Sequence, residues 1–449
     1  MSDRHVAKRV VIVGAGLGGM TAAQAVADHF EEVVVLERDA LAAGASPRAG
    51  VPQGRHPHLL LAGGLNALLE LFPGIDVDLA RAGAFELDAA LDVCCELPGQ
   101  APMPRRHLGL RTYAMSRPLL ELVVRCRIGT RSNIILRNAC RAVEILGSRD
   151  GSRVLAVRCE SDDKKSEVIP ADLVIDASGR GAIALDFLGS VGRPRPEETR
   201  IGVDLSYSTA GFSLSESAHP DFKGLMKLAK APESSRCGYL LQIENDRWLA
   251  LVVGRGPDPL PDSGEAFFEY TKRLETLTPF NAIKEGKQNA KISHYRFPES
   301  TWRHFAKLDG FPRGLIPIAD AICRFNPAYG QGMSVAVKEA SALARLLQMR
   351  FSGDPLAELA KNFLAEAESI IEAPWTLAAL PDFVYPQTAG NRPADLDDSL
   401  KRQMALNRLA VRDPVVHKLL LEVHHLLKPI SVLNDPDLLA RAMTEADRD

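Results

Sequence analysis

Gly14, Gly16 and Gly19 lie in Val10-Val-Ile-Val-Gly14-Ala-Gly16-Leu-Gly-Gly19, where a short apolar strand runs into a G-x-G-x-x-G turn. A helix-like run follows, and a second apolar strand, Val33-Val-Val-Leu, ends in Glu37. Each residue type suits one task in holding a dinucleotide. Gly14 permits the tight turn, Gly16 lets backbone approach a pyrophosphate, and Gly19 lets helix and strand pack closely. The helix that opens there directs unsatisfied N–H groups at phosphate oxygens. Glu37 can accept hydrogen bonds from ribose hydroxyls. A glycine-rich turn with no nucleotide is the bland alternative. The order strand, turn, helix, strand, acid argues against it.

A second segment has similar character. Gly314-Leu-Ile-Pro-Ile-Ala-Asp320 reads as a strand ending in an acid, and Asn326-Pro-Ala-Tyr-Gly330-Gln-Gly332-Met opens the helix Ser334 to Met349. A helix start of this kind faces negative charge. The pyrimidine edge of a reduced isoalloxazine would be stabilised there without a cation. Asp320 would accept bonds from sugar hydroxyls. Taken alone, the segment reads equally well as a helix cap with turn glycines; paired with the first turn, it reads as the second wall of a cofactor site. His56 and His58, in Pro52-Gln-Gly-Arg-His-Pro-His58, stand two apart with no third ligand in view, which disfavours a metal. They read as loop or cap residues, with a cofactor contact as the alternative.

The elements that must position these residues form a mixed α/β chain. At 449 residues it exceeds what one core usually supports, so two or more domains are expected. Residues 1–185 read as a Rossmann-like domain broken by short insertions. It holds the helix Leu59 to Phe72, the Ser116-capped helix Leu119 to Ile128, three short strands around an Asp150-Gly151 turn, and a buried strand, Ala171 to Ala177. Residues 186–300 read as an inserted antiparallel sheet, with Ile201, Val203, Leu205 and Tyr207 alternating and Glu244-Asn-Asp246 as a hairpin. Residues 186–311 carry 15 of the 26 aromatics, which suits either core or the wall of an apolar pocket. Residues 301–352 return to the first domain, and 353–449 form a helical tail. There Val415, Val416, Leu419, Leu420, Val423, Leu426 and Leu427 recur at helical spacing, as for packing on the body. A peripheral membrane contact is the lesser reading.

Composition excludes several classes. A net charge of −3 without a basic block argues against nucleic acid. No apolar stretch approaches the roughly 18 residues that span a bilayer. The start, Met-Ser-Asp-Arg-His, is not expected to be a signal peptide. Seven cysteines without C-x-x-C spacing suit a reducing cytoplasm and no metal site.

Gly14/Gly16/Gly19 with Glu37, Ser116-Arg117, Ala171-Asp-Leu-Val-Ile-Asp-Ala-Ser-Gly179-Arg, and Ala319-Asp320 with Pro327 to Gly332 together resemble a known signature. It is the FAD-binding signature of the p-hydroxybenzoate-hydroxylase-like flavoprotein monooxygenases. The loop Arg48 to His58 and the tail around Pro374-Trp375 are similar to the bacterial branch that includes the polyether epoxidases of monensin and lasalocid biosynthesis, relatives of squalene epoxidase. The resemblance implies that 1–185 and 301–352 bind FAD and that the inserted sheet binds substrate. It implies further that Glu37, with Arg38 beside it, binds the adenosine ribose, Arg117 and Asp320 the central FAD region, and Pro327, Gly330, Gly332 and Met333 the flavin ring. Arg48 and Gln53 would sit beside the flavin. Many relatives carry Asp-Gly-x-x-Ser where this chain has Asp176-Ala-Ser-Gly-Arg180. That departure puts NAD(P)H reduction on this chain in doubt and brings in a separate flavin reductase as a partner.

The implied activity is a monooxygenase that inserts one atom of O2, through a flavin hydroperoxide, into a hydrophobic small molecule by epoxidation or hydroxylation. A reductase or dehydrogenase of an isoprenoid-like substrate and a non-catalytic flavin-bearing scaffold are the alternatives. No second G-x-G-x-x-G unit, no cysteine pair after the first helix and no W-x-W-x-I-P signature is present. These absences disfavour two-dinucleotide reductases, disulfide reductases and flavin halogenases. No general base stands out among residues 186–311, where His294, Tyr295 and His304 are no more than candidates, which leans toward an alkene or other lipophilic substrate.

Overall fold

The computed structural model describes residues 6–349 and 354–446. The first five residues and the expected 352/353 boundary lie outside the described residues. Five strands form a parallel sheet in the order Leu315–Pro317, Leu173–Asp176, Ala7–Val13, Phe30–Leu36, Ile134–Arg137. Val10, Val11, Ile12, Val33 and Val35 are all buried, as a parallel sheet covered on both faces requires. The helices Leu17–Val26 and Gly332–Gln348 pack into one core with it. On the other side lies a meander of Cys140–Gly147, Val154–Ser161 and Ser166–Pro170, whose Val157 and Ile169 pack against Val11 and Val34.

Parallel strands bring their carboxyl ends to one edge, where ligands of such sheets bind. Gly14 N–H donates to the Leu36 carbonyl (2.8 Å), Ala177 to Val13 (3.0 Å) and Ile318 to Asp176 (3.0 Å). The turns that follow the four strands therefore start side by side.

A second sheet runs in the order Cys323–Arg324, Ser293–Arg303, Glu198–Ser213, Arg247–Arg255, Cys237–Ile243, Gly224–Lys227, Val93–Glu96, with Lys287–Gln288 also pairing on Glu198–Ser213. It is antiparallel except where Val93–Glu96 meets Gly224–Lys227. It thus draws strands from both sides of the 186–300 segment. Asn245 (φ 59°) and Asp246 (φ 57°) make the left-handed pair that a tight hairpin needs. One face of the sheet lies under the helices Gly264–Lys272 and Thr278–Ile283, where Phe212, Trp248 and Phe267 form an ordinary core. The other face presents Ile201, Val203, Leu205, Tyr207 and Phe297 to Phe383 and Leu396 of the tail helices Leu359–Phe383 and Leu396–Arg412. Most of the middle aromatics are core, while Tyr207, Tyr239, Tyr295 and Phe297 lie on the tail-facing side and Trp302 packs on Trp375 of the tail helix.

The stripe on Pro414–His424 buries Val416, Leu420 and Val423 and leaves Val415 76% exposed, so its main role is packing. Among the described residues, no helix is long and apolar enough to cross a membrane.

Asp382, fully buried on the long tail helix, joins these layers. Its carboxylate accepts from Arg255 Nη2 at the end of a sheet strand, from Asn326 Nδ2 (2.9 Å) and from the Tyr329 hydroxyl (2.9 Å). Arg255 Nη1 also donates to the Val203 carbonyl (3.2 Å), and the guanidinium lies over the Tyr385 ring. Burial pushes the Asp382 pKa up, against the pull of Arg255. Removing one partner of such a pair strands the other charge. Asp382→Ala is therefore expected to cost about 3–5 kcal/mol in a denaturant titration. A loss near zero would show that the pair does not tie the layers together.

Candidate functional site

The first turn is built as its glycines require. Gly14 has φ +103°, and a Cβ there would stand 2.5 Å from the Ala177 carbonyl oxygen. A Cβ on Gly19 would stand 1.9 Å from the Gly14 carbonyl oxygen, so the helix can start only against bare backbone. Gly16 differs: among the described residues, nothing lies within 4 Å of where its Cβ would stand. As the N-cap of the first helix, without a side-chain cap, it leaves that helix start open to a ligand.

Glu37, 4% exposed, accepts from the Ala15 N–H (2.9 Å) and the Asp39 N–H (2.9 Å). Arg48 bridges to it at 2.8 Å and donates to the Ala15 carbonyl (2.9 Å). Glu121 carries the chain of charges onward, 3.5 Å from Arg48 and 2.9 Å from Arg117. The line Glu37–Arg48–Glu121–Arg117 is thus continuous. The neighbouring carboxylates raise the Arg48 pKa, outweighing burial, which is the largest single influence and acts in the opposite direction. Arg38 is exposed. Arg48 and Gln53, expected together beside a flavin ring, part company. Arg48 serves the first turn, whereas the Gln53 amide points to the Tyr295 hydroxyl (3.5 Å) of the second sheet.

Arg117 begins the helix Arg117–Ile128, whose N-cap Ser116 accepts from Leu119 N–H. The Ser116 N–H is held by Glu244 (2.7 Å), buried in the hairpin of the second sheet. One sheet therefore caps the helix that presents Arg117 to the other.

The second segment lies against the first. A Cβ on Gly18 would meet the Ala319 Cβ at 2.9 Å and the Ala336 Cβ at 3.6 Å. Ala319 takes the left-handed region (φ 59°), and its N–H is held by Glu339 of the returning helix (2.6 Å). Among the described residues none donates to the Asp320 carboxylate. Burial raises its pKa, opposed by Arg117, Arg324, Arg303 and Arg180. The Pro327–Tyr329 turn follows, then Gly330 (φ 69°) and the helix start at Gly332, with Met333 buried. Gly330 and Gly332 have open space where a Cβ would go. Between them Gln331, 1% exposed, has both amide atoms without a partner among the described residues.

These features fit a flavin dinucleotide. The open Gly16, Gly330 and Gly332 would admit it to backbone, and the orphaned Gln331 amide and unpaired Asp320 carboxylate would bond its polar edges. Asp176 does not share in this. Its carboxylate is spent on Ser178 N–H (3.0 Å), Ser178 Oγ (2.6 Å) and Ala184 N–H (2.8 Å), closing its own turn.

His56 and His58 lie on the loop around the short helical turn Pro52–Arg55. His58 Nδ1 bonds the His56 carbonyl (2.9 Å), a local role. His56, 2% exposed, reaches the second sheet through Thr209 Oγ1 (2.7 Å). Of the candidate bases, His294 bonds Ser208 (2.8 Å) and His304 bonds Thr199 (2.7 Å); Tyr295 faces His56.

Glu121, Gln331 and Glu339 escaped the sequence reading. Glu121 was legible as the i+4 partner of Arg117, and Gln331 stood inside a loop already singled out. Nothing local marked Glu339.

The class of fold follows from comparison with solved structures. The flavin-dependent brominase Bmp2 superposes with a TM-score of 0.67 over 98% of this chain and 99% of its own, at 14% identity. PqsL, a probable FAD-dependent monooxygenase from Pseudomonas aeruginosa, gives 0.60 over 84% of this chain and 97% of its own, at 17% identity. At these identities the likeness is one of fold, which this chain shares with both proteins. A family model described as an NAD(P)-binding Rossmann-like domain matches residues 12–64. The chain belongs to the family of Protein Rv3254 of Mycobacterium tuberculosis (strain ATCC 25618 / H37Rv). It is 31% identical to that protein over 388 residues, 84% of this chain and 80% of the relative.

Burial pushes the Glu339 pKa up to about 8, with Asp320 adding to it and the Ala319 N–H opposing. The folded protein then binds a proton that the unfolded chain releases above the ordinary glutamate range. Stability from this group is complete at low pH and is lost as pH rises toward 8. In denaturant titrations of the flavin-free protein, Glu339→Gln should match wild type near about pH 5 and exceed it near about pH 8. Parallel pH profiles would show that Glu339 titrates normally.

Proposed function

We propose that this protein is an FAD-dependent monooxygenase acting on a lipophilic small molecule. The observation that carries the reading is the convergence of two glycine turns more than half the chain apart, Gly18 of the first packing on Ala319 of the second. A dinucleotide running from one to the other would meet the Gly16 helix start and Glu37 at its adenosine end, with Arg38 on the exposed rim. Arg117 and Asp320 would lie at its middle, and the Pro327 to Met333 turn at its ring. When bound, FAD supplies activation of O2. The protein's part is to hold, orient and exclude water. Arg48 pins the first turn through its carbonyl, and the second helix start offers N–H groups to negative charge on the ring.

NAD(P)H is the reductant in this reading. With Asp176 committed to its own turn, delivery through a separate flavin reductase is as well supported as direct reduction. Epoxidation, as in the polyether enzymes, and hydroxylation both accord with such a site. Purified protein is expected to be yellow, and label from 18O2 to appear in product. Anaerobic turnover without label incorporation would favour the dehydrogenase reading instead.

Two variants locate the site. Gly16→Val should leave the apoprotein folded, since its side chain enters open space, and should abolish FAD uptake measured by absorbance. Stoichiometric flavin in that variant would displace the site. Asp320→Ala should weaken FAD by about 1–3 kcal/mol for lost buried hydrogen bonds, with circular dichroism unchanged.

A further inference from the structure

The loop between the first turn and the second sheet carries a buried imidazole with one nitrogen unemployed. His56 is 2% exposed, and its Nδ1 is fixed by Thr209 Oγ1 at 2.7 Å. Its Nε2 has no hydrogen-bond partner among the described residues. The ring stands edge-on to Tyr207 (centroids 4.7 Å, planes 86° apart) and to Tyr295 (6.0 Å, 65°). Tyr207 and Tyr295 in turn lie 5.3 Å apart, and the Gln53 amide reaches the Tyr295 hydroxyl. Two strands of the second sheet and the loop of the first domain thus enclose one polar atom within aromatic walls.

We infer that His56 Nε2 is a substrate contact, and that the lipophilic substrate carries a neutral oxygen, a hydroxyl or carbonyl, which hydrogen-bonds to it. The inference deepens the monooxygenase reading and rests on it for what the bound molecule is, though not for the contact itself.

Three features support this assignment. A buried ring nitrogen that gave up water without gaining a partner would be a standing cost, which a bound polar group removes. The surroundings also choose the ligand's charge. Burial, with Arg55 and His294 adding to it, pushes the His56 pKa down to about 4, so the imidazole meets its partner uncharged. An uncharged imidazole offers one donor or one acceptor, which matches an alcohol, phenol or ketone oxygen better than a carboxylate. The cluster also adjoins the proposed cofactor site, because Arg117 acts electrostatically on Tyr207, His58 and Asp320. The walls then read as a largely aromatic frame with a few placed polar groups, of which His56 Nε2 is left without a partner among the described residues, the usual design of a small-molecule site. A plain alkene would leave that nitrogen unused.

A matched pair of probes tests this on the full-length protein. Calorimetric titration with 2-naphthol and with naphthalene reads affinity without reference to flavin. Wild type is expected to bind 2-naphthol about five- to tenfold more tightly, the worth of one neutral hydrogen bond. His56→Phe should bring 2-naphthol to the affinity of naphthalene and leave naphthalene within about twofold. As a second measurement, independent of the variant's folding, the Nε2 resonance of His56 in 15N-histidine-labelled wild type should move with 2-naphthol and not with naphthalene. Failure of wild type to bind either probe or to discriminate, discrimination persisting in His56→Phe, or an unmoved resonance would overturn the inference. The visible spectrum separates the two claims. A colourless protein that still discriminates would refute the flavin reading alone, and a yellow one that does not would refute the His56 contact alone.

Discussion

A carboxylate with no access to water must be satisfied from within, and Asp382 is satisfied only when three distant pieces of chain arrive together. Arg255 comes from the second sheet, Asn326 and Tyr329 from the turn before the returning helix, and Asp382 itself from the tail. Until all are in place, the arrangement carries the penalty of buried, unpaired charge. Once they are, the turn that opens the returning helix can occupy one position relative to the sheet above it. The cofactor-facing glycines Gly330 and Gly332 inherit their placement from this knot rather than from their own loop.

The same logic runs along the first turn. Glu37, Arg48, Glu121 and Arg117 alternate in sign, and each charge is balanced by the next. Burying one carboxylate alone would be costly, whereas a continuous line distributes the desolvation and fixes every side chain in it. The line runs from the adenosine end of the proposed site to its middle. Asp320 sits beyond its far end with no donor to its carboxylate among the described residues, where nearby arginines oppose the upward push that burial gives its pKa.

Much of this was legible in the residues, and the reason is local. The strand, turn and helix from Val10 to Met20 form by short-range rules, so the three glycines predicted their own geometry, including the contrast between Gly19, packed on backbone, and Gly16, open. Ser116 announced its helix by capping it, and Asn245-Asp246 announced a hairpin. What was not legible depends on pairings across the sequence. Nothing near Val93 says that it will join a sheet of residues beyond 200, and nothing near Asp382 names Arg255. The loop Arg48 to His58 shows both limits. Its residues drew notice, but only the tertiary structure sends Arg48 to Glu37 and Gln53 and His56 to the second sheet.

The helix Ala62–Leu71, which follows that loop, has no cap of its own. Its opening N–H groups are taken by Ser334 Oγ, by His425 Nδ1 and by the His425 carbonyl, and Gly63 is crowded by that carbonyl and the next. A helix that starts at residue 62 is therefore completed by a residue 363 positions later in the chain. During synthesis, the glycine turn and its first two strands leave the ribosome early, yet their neighbouring helix stays unfinished until residue 425 has emerged. The opening turn of this helix thus forms only after residue 425 has joined the fold, a long-range closure rather than a local one.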